Sequence, residues 1–160
     1  MYLSEPKMAE WQARFVTHRR RIQRLLPTAT LEHIGSTALP NIVAKDVVDV
    51  LVGVQANQIQ AAAQSLSEVG YVLEGQREEH HWLCWPQPDK REAVIHVVLL
   101  GGEIWHKRLF FRDHLRQNPA EARAYEALKL RIAAQTDDWG EYTAQKAEFV
   151  ARILAQGRLT

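Results

Sequence analysis

A glycine and a serine that end one predicted strand, and an aspartate inside the next, could bind phosphate. Gly35 and Ser36 follow the strand predicted for Thr30–Ile34, and Asp49 lies in the β-branched run Val47–Val54. Glycine lets a phosphate approach the backbone, whose N–H groups bind its oxygens together with the serine hydroxyl. An aspartate on the adjacent strand could hold a Mg²⁺ or Mn²⁺ ion that bridges the same phosphates. The spacing therefore predicts a phosphate site.

Asp49 has a second interpretation. A carboxylate inside an apolar strand costs several kcal/mol unless it is paired, hydrogen-bonded or bound to a ligand. Asp49 is therefore either a catalytic or metal-binding residue, or a member of a structural network with Lys45, His96 or Arg112. The same two interpretations, phosphate binding and a structural role, apply to Lys45 and to His33, which lies just before the turn.

One predicted helix carries a stripe of positive charge. Arg108, Arg112 and Arg116 are four residues apart and fall on one helix face, where they could line a cleft for an anion. For Arg112 the alternative is an ion pair with Asp113 or Asp49. The formal net charge is only +1, and no recognition motif indicates nucleic-acid binding.

The elements that must position these residues follow from hydrophobic periodicity. The chain begins with a helix from Glu5 to Leu26, capped by Ser4. Strands are predicted at Thr30–Ile34, Val47–Val54, from Tyr71–Leu73 onward, at His80–Trp85 and at Ala93–Leu100. Further helices are predicted at Asn57–Val69, Ile104–Gln117, Ala120–Ala134 (capped by Asn118) and Tyr142–Ala155. The turn-rich link at 86–90 predicts an antiparallel pair for the last two strands. This order indicates a single α+β domain, with an α/β core over residues 1–100 and a helical part over 101–160.

Composition excludes several classes of protein. The 160 residues are 46% hydrophobic and 24% charged, which excludes a wholly disordered chain. Cys84 is the single cysteine, so intramolecular disulfides and CxxC motifs are excluded, and we expect it to be buried. Without an apolar run that could span a membrane or a secretory signal, we expect a cytoplasmic protein. The tryptophans are expected mainly in the core: Trp11, Trp82, Trp85, Trp105 and Trp139.

Beyond these local patterns, the stretch EHIGSTALPNIVAKDVVDVLVGV resembles the signature of the GrpB-like family, within the nucleotidyltransferase-fold superfamily. The matching positions are Glu32, His33, Ile34, Gly35, Ser36, Thr37, Pro40, Ala44, Lys45 and Asp49. The resemblance extends from Trp11 to about Leu154. Its downstream matches include Gly70, Tyr71, His96, Trp105, Phe111, Arg112, Asp113, Leu115, Pro119, Ala122, Tyr125, Leu128, Lys129, Tyr142, Lys146 and Phe149.

The resemblance implies a nucleotidyltransferase-like mixed sheet with flanking helices and a C-terminal helical bundle. It implies Asp49 and His96 as catalytic residues, with Asp49 as the metal ligand. The implied phosphate-binding residues are His33, Gly35, Ser36, Lys45, Arg112, Lys129, Tyr142 and Lys146. The superfamily typically has Asp-x-Asp on the strand and a third carboxylate on a later strand. Here Leu51 occupies the second position, and Asp46 replaces a proline of the family pattern.

The expected ligand is a nucleotide or another phosphorylated small molecule. Two classes of function stay open at this point. One is a metal-dependent nucleotidyltransferase, which the Leu51 position argues against. The other is a non-catalytic ligand-binding or protein-interaction module that retains the fold, and the amphipathic N-terminal helix is its candidate interaction surface.

Overall fold

The computed structural model describes residues 2–159, which form five strands and five α-helices. The strands are β1 (Thr30–Ile34), β2 (Val48–Val54), β3 (Val72–Arg77), β4 (His80–Trp85) and β5 (Ala93–Leu99). The helices are α1 (Met8–Leu25), α2 (Ile59–Glu68), α3 (Glu103–Gln117), α4 (Pro119–Gln135) and α5 (Trp139–Gln156). The predicted order of elements is confirmed, with bounds that differ by a few residues.

The strands form one mixed sheet in the order β1-β2-β5-β4-β3. β2 and β5 run parallel, whereas the other neighbouring pairs are antiparallel. The pairing of β4 with β5 confirms the predicted antiparallel pair. In the register, Ile34 lies opposite Asp49, and Leu51 lies opposite His96. The turn that follows β1 therefore lies next to Asp49.

One face of the sheet is covered by α1 and α2 and forms the main core. Val48, Val50 and Val52 of β2 are completely buried on this face, because alternate residues of a strand point to the same side. The apolar stripe of α1, which includes Trp11 and Ile22, packs into the same cluster. The apolar stripe of α1 is therefore buried in the core.

The opposite face of the sheet is divided between an apolar patch and a cleft. Leu51 and Val98 pack against Trp105 of α3 in the patch. Helices α3, α4 and α5 form a further apolar cluster that contains Leu115 and Ile153. Near the N-terminal ends of β2 and β5, a cleft separates the sheet from the C-terminal helices.

Both predicted helix caps are wrong. Helix α1 begins at Met8, later than predicted, because Ser4 and Ala44 exchange backbone hydrogen bonds of 2.7 and 3.1 Å in an isolated bridge. Ser4 is thereby tied to the loop before β2. Asn118 precedes α4 without capping it, since its Nδ2 donates to the carbonyl oxygen of His114 at 2.7 Å.

Two predictions from composition concern Cys84 and membrane spans. Cys84 is completely buried in β4, which confirms the expectation for a cysteine in an apolar run. Among residues 2–159, no helix combines the length and apolar character needed to cross a membrane.

Candidate functional site

The turn after β1 closes over Asp49. Gly35 has a positive φ of 76°, and a Cβ at this position would lie 2.5 Å from Asp49 Oδ2. Only a residue without a side chain fits this approach. Ser36, the next residue, lines the cleft together with Asp49. The structure thus places the predicted Gly-Ser motif and the strand aspartate side by side.

Two histidines extend from Asp49 across the neighbouring strands. His96 Nε2 lies 3.2 Å from Asp49 Oδ1, and His80 Nε2 lies 3.1 Å from His96 Nδ1. Because a carboxylate only accepts hydrogen bonds, a neutral His96 donates through Nε2 and accepts at Nδ1. His80 then donates through Nε2, and its Nδ1 is the proton-accepting nitrogen. Burial and the neighbouring His96 lower the pKa of His80 to about 4, so His80 is neutral at pH 7.

The residues around Asp49 do not fit a two-ion metal centre. The second acid position holds Leu51, which is completely buried among apolar side chains. Asp46 does not replace it, because its carboxylate accepts hydrogen bonds from Trp11 Nε1 at 2.9 Å and Lys7 Nζ at 3.1 Å. In the described part of the chain, no group of three or more His, Cys, Asp or Glu side chains is placed to hold an ion. A Mg²⁺ or Mn²⁺ ion at Asp49 stays a prediction.

Three lysines from separate elements meet at the cleft: Lys45 from the loop before β2, Lys129 from α4 and Lys146 from α5. The Lys45 ammonium lies over the rings of Trp139 and Tyr142, and the Lys146 ammonium is 4.5 Å from the centroid of the Tyr142 ring. Lys129 Nζ donates to the carbonyl oxygen of Val43 at 2.5 Å. Aromatic faces attract cations, which explains this arrangement.

Burial changes the ionisation of these lysines. It lowers the pKa of Lys45 to about 7 and that of Lys129 to about 7, and the positive charge of Lys146 adds to both effects. Burial also lowers the pKa of Lys146, while Asp49 acts in the opposite direction. The lysines therefore lie in a site where their positive charge is incompletely balanced.

The cleft has a volume of about 820 Å³, which lies within the range of small-molecule sites. Its charged lining is mostly basic: Lys45, Arg77, Arg91, Arg108, Lys129 and Lys146 face Asp49 and Glu74. Glu74 is already paired with Arg91, whose Nη2 lies 2.6 Å from Glu74 Oε1. The unbalanced charge of the cleft is consequently positive, and its chemistry suits an anion.

Two predicted site residues lie outside the cleft lining. Arg112 donates to Glu32 at 2.7 Å, to Asp113 at 2.8 Å and to the carbonyl oxygen of His33 at 3.1 Å. His33 is buried, where its Nε2 lies 2.9 Å from Thr37 Oγ1, and burial lowers its pKa to about 4. Arg112 thus connects α3 to β1, and His33 connects β1 to Thr37 in the turn that follows. The other predicted residues, Ser36, Lys45, Asp49, His96, Lys129, Tyr142 and Lys146, line the cleft together, with Gly35 packed against Asp49.

The sequence analysis did not identify Trp82, Trp139 and His80 as residues of the cleft. Trp82 and Trp139 line the cleft, so the expectation that they are core residues is wrong. The signal for Trp82 and His80 was their period-two spacing in β4, which places both on one face beside β5. Trp139 offered no such signal, because it depends on how α5 docks.

This sheet, with helices on one face and a helical bundle beside the cleft, is the fold of the nucleotidyltransferases. The structure of a cytoplasmic RNA terminal U-transferase matches with a TM-score of 0.54 and 16% sequence identity, over 79% of this chain and 39% of that chain. A match of this kind shows the fold alone. The predicted fold class is confirmed.

Similarity over nearly the whole chain identifies the family. The crystal structure of the conserved protein GrpB from Enterococcus faecalis has a TM-score of 0.85 and 28% identity, covering 97% of this chain and 96% of that chain. A UPF0157 protein from Deinococcus radiodurans is 65% identical over 154 residues, which are 96% of this chain and 81% of that protein. The family described as GrpB protein matches residues 4–156, so the chain belongs to the GrpB family.

Proposed function

We propose that the cleft binds a nucleotide or another phosphorylated small molecule in the cytoplasm. The observation that carries this proposal is the convergence of Lys45, Lys129 and Lys146 on one cavity beside Ser36. Ammonium groups and a polar turn are the groups that proteins use to hold phosphate oxygens. The lysines would bind the phosphates, and Ser36 would contribute its hydroxyl.

The energetics of the lysines support an anionic ligand. Burial disfavours the charged ammonium, which is why the pKa values of Lys45 and Lys129 fall to about 7. A phosphate supplies the missing negative charge, and each hydrogen bond to a charged group contributes about 1.5–3 kcal/mol. Ligand binding would therefore relieve the repulsion among the lysines.

Two classes of function use such a site, namely nucleotidyl transfer and binding without catalysis. For transfer, the chain from Asp49 through His96 to His80 would accept a proton from an attacking hydroxyl, but the pKa of about 4 makes His80 a weak base for this step. Leu51 at the second acid position favours binding over two-metal transfer. A protein-interaction role for α1 has less support, because its apolar stripe is buried in the core.

Isothermal titration calorimetry with inorganic tripolyphosphate and a panel of nucleotides tests the proposal. We expect the wild-type protein to bind, and Lys146→Met to weaken binding by about tenfold or more, since a charged hydrogen bond is lost. Lys107→Met is the matched control, because Lys107 pairs with Glu103 outside the cleft at 2.6 Å. If none of these anions binds to the wild-type protein, the proposal is overturned.

The same titrations with Asp49→Asn, in EDTA and in Mg²⁺, separate the two classes of function. If Asp49 only balances the lysines, its neutralisation removes a negative charge from the cleft, and binding in EDTA becomes tighter. We expect this result. Binding that requires Mg²⁺ in the wild type and is lost in Asp49→Asn would instead support metal-dependent transfer.

A further inference from the structure

The indole of Trp82, on β4, lies over Gly75 at one wall of the cleft. Trp82 is paired with Gly75 of the edge strand β3, and a Cβ on Gly75 would lie 2.1 Å from the indole ring. The ring therefore occupies the space that any other residue at position 75 would fill. Trp82 is half-buried and lines the cleft, so part of its indole is accessible from the cleft. The His80 ring lies beside the indole in a tilted contact, with 5.0 Å between the ring centroids and 47° between the planes, and does not stack on it.

The rings of Trp139 and Tyr142, which also line the cleft, are already in cation–π contact with lysines. The Lys45 ammonium covers Trp139, and the ammonium groups of Lys45 and Lys146 lie 4.2 and 4.5 Å from the centroid of the Tyr142 ring. Near Trp82, the guanidinium of Arg77 is 5.7 Å from the ring centroid, close to the limit of a cation–π contact. Arg77 is exposed, so its long side chain can move aside for a ligand.

Trp82 stands apart from the lysines across the sheet. Asp49, beside the lysines, is on β2, and Trp82 is on β4, with β5 between them. Two strand spacings separate these positions by about 10 Å. His96 of β5 lies between them, and His80 lies beside Trp82 on β4. A ligand that reaches both ends needs an anionic group at one end and a flat group at the other.

We propose that the ligand of this cleft carries an aromatic base, which stacks on Trp82 while its phosphates are held by the lysines. This inference rests on the proposed function and narrows it from phosphorylated small molecules to nucleotides. An indole accepts any base, because every base has a π-face, so Trp82 supplies affinity for the base without selecting among bases. Trp82 thus holds the base, and the lysines hold the phosphates.

The test compares ATP with inorganic tripolyphosphate in calorimetric titrations of the same variants. Stacking on an aromatic side chain corresponds to roughly a tenfold or greater change in affinity. We expect Trp82→Ala to bind ATP about tenfold more weakly and to bind tripolyphosphate as the wild type does. Trp82→Phe, which retains a ring, should lie between the two for ATP.

Two further variants guard against a folding artefact. Gly75→Ala keeps Trp82 but pushes its ring out of place, so it should weaken ATP binding and leave tripolyphosphate binding unchanged. If Trp82→Ala does not fold, Gly75→Ala tests the role of the Trp82 ring in its place. Trp139→Ala removes the ring that supports Lys45, and it should change the affinities for both anions by the same factor.

A change in ATP affinity of less than about twofold in Trp82→Ala, or equal losses for both anions, would overturn the base platform. Binding of tripolyphosphate but not ATP by the wild type would also overturn it, and the proposed anion site would stand. If neither anion binds, the anion site itself fails. Fluorescence gives an independent readout, because ATP should quench tryptophan emission in the wild type and much less in Trp82→Phe.

Discussion

At the scale of single residues, the position of Asp49 depends on the missing side chain of Gly35. Gly35 has φ 76° and ψ −176°, a conformation that is essentially confined to glycine. This conformation turns the chain directly over the Asp49 carboxylate, whose other oxygen accepts the hydrogen bond from His96. The glycine of the Gly-Ser motif therefore has a geometric role in addition to its predicted contact with phosphate.

Gly35→Ala is expected to lower the free energy of unfolding by about 1–3 kcal/mol. It should also weaken tripolyphosphate binding, because it shifts the turn that places Ser36 in the cleft. Gly101→Ala is the matched control, because Gly101 also has a positive φ of 73° but nothing lies within 4 Å of a Cβ there. The control should lose stability through backbone strain and bind normally. Urea unfolding and calorimetry measure the two effects, and equal binding by both variants would contradict the expectation.

At the scale of elements, the predicted phosphate ligand Arg112 instead attaches α3 to β1. Its guanidinium is largely buried and has hydrogen-bond partners on both elements, including Glu32 at 2.7 Å. Hydrogen bonds to Asp113 and Glu32 raise the pKa of Arg112 against the effect of burial, so it stays charged. Arg112 therefore stabilises the contact between α3 and β1.

Arg112→Met is therefore expected to reduce the free energy of unfolding by about 1–3 kcal/mol, because it leaves the buried carbonyl oxygen of His33 without this donor. The folded variant should bind tripolyphosphate as tightly as the wild type. The control is Arg123→Met on α4, whose exposed pair with Glu126 at 3.2 Å should contribute less than about 1 kcal/mol. A stable Arg112→Met protein with weakened binding would instead assign Arg112 to the ligand.

At the scale of the whole molecule, the fold concentrates positive charge that the chain as a whole does not have. The formal net charge is +1, yet six basic side chains and two acidic ones line the cleft. Lysines from the loop before β2, from α4 and from α5 meet only because the helical bundle docks beside the sheet. Their lowered pKa values are a consequence of this assembly.

We expect tripolyphosphate binding to take up more protons at pH 8 in the wild type than in Lys45→Met, and we expect no difference between the two proteins at pH 6. The comparison at each pH cancels the protons that the phosphate groups of the ligand exchange. Lys45 and Lys129 have pKa values of about 7 in the free protein, so they are mostly neutral at pH 8 and charged at pH 6. A bound anion raises these pKa values and recharges the lysines at pH 8, by on the order of one proton. Calorimetry in buffers of different ionisation enthalpy measures the uptake.

The control for this measurement is Lys45→Met, which should take up fewer protons at pH 8 than the wild type. Lys107→Met should match the wild type, because Lys107 lies outside the cleft. Uptake at pH 8 that is equal in the wild type and in Lys45→Met would show that Lys45 is already charged in the free protein.

The sequence by itself determined the elements, the resemblance to the GrpB family and the central motif. Periodicity identified the strands and helices, because the positions that face the core recur within a few residues of each other. The pairing of Asp49 with His96 was one of the alternatives that the sequence left open, because a carboxylate inside an apolar strand needs a partner. These features depend on residues that are near in sequence or belong to one recognisable pattern.

Only the tertiary structure decided which side chains share the cleft. It added His80 and Trp82, which reach the cleft through strand pairing, and it placed Arg112 in an attachment between α3 and β1. It also decided how strongly the lysines repel one another, which follows from their burial. Strand order, helix docking and burial are set by packing between distant segments, and the local pattern of a sequence contains no measure of them.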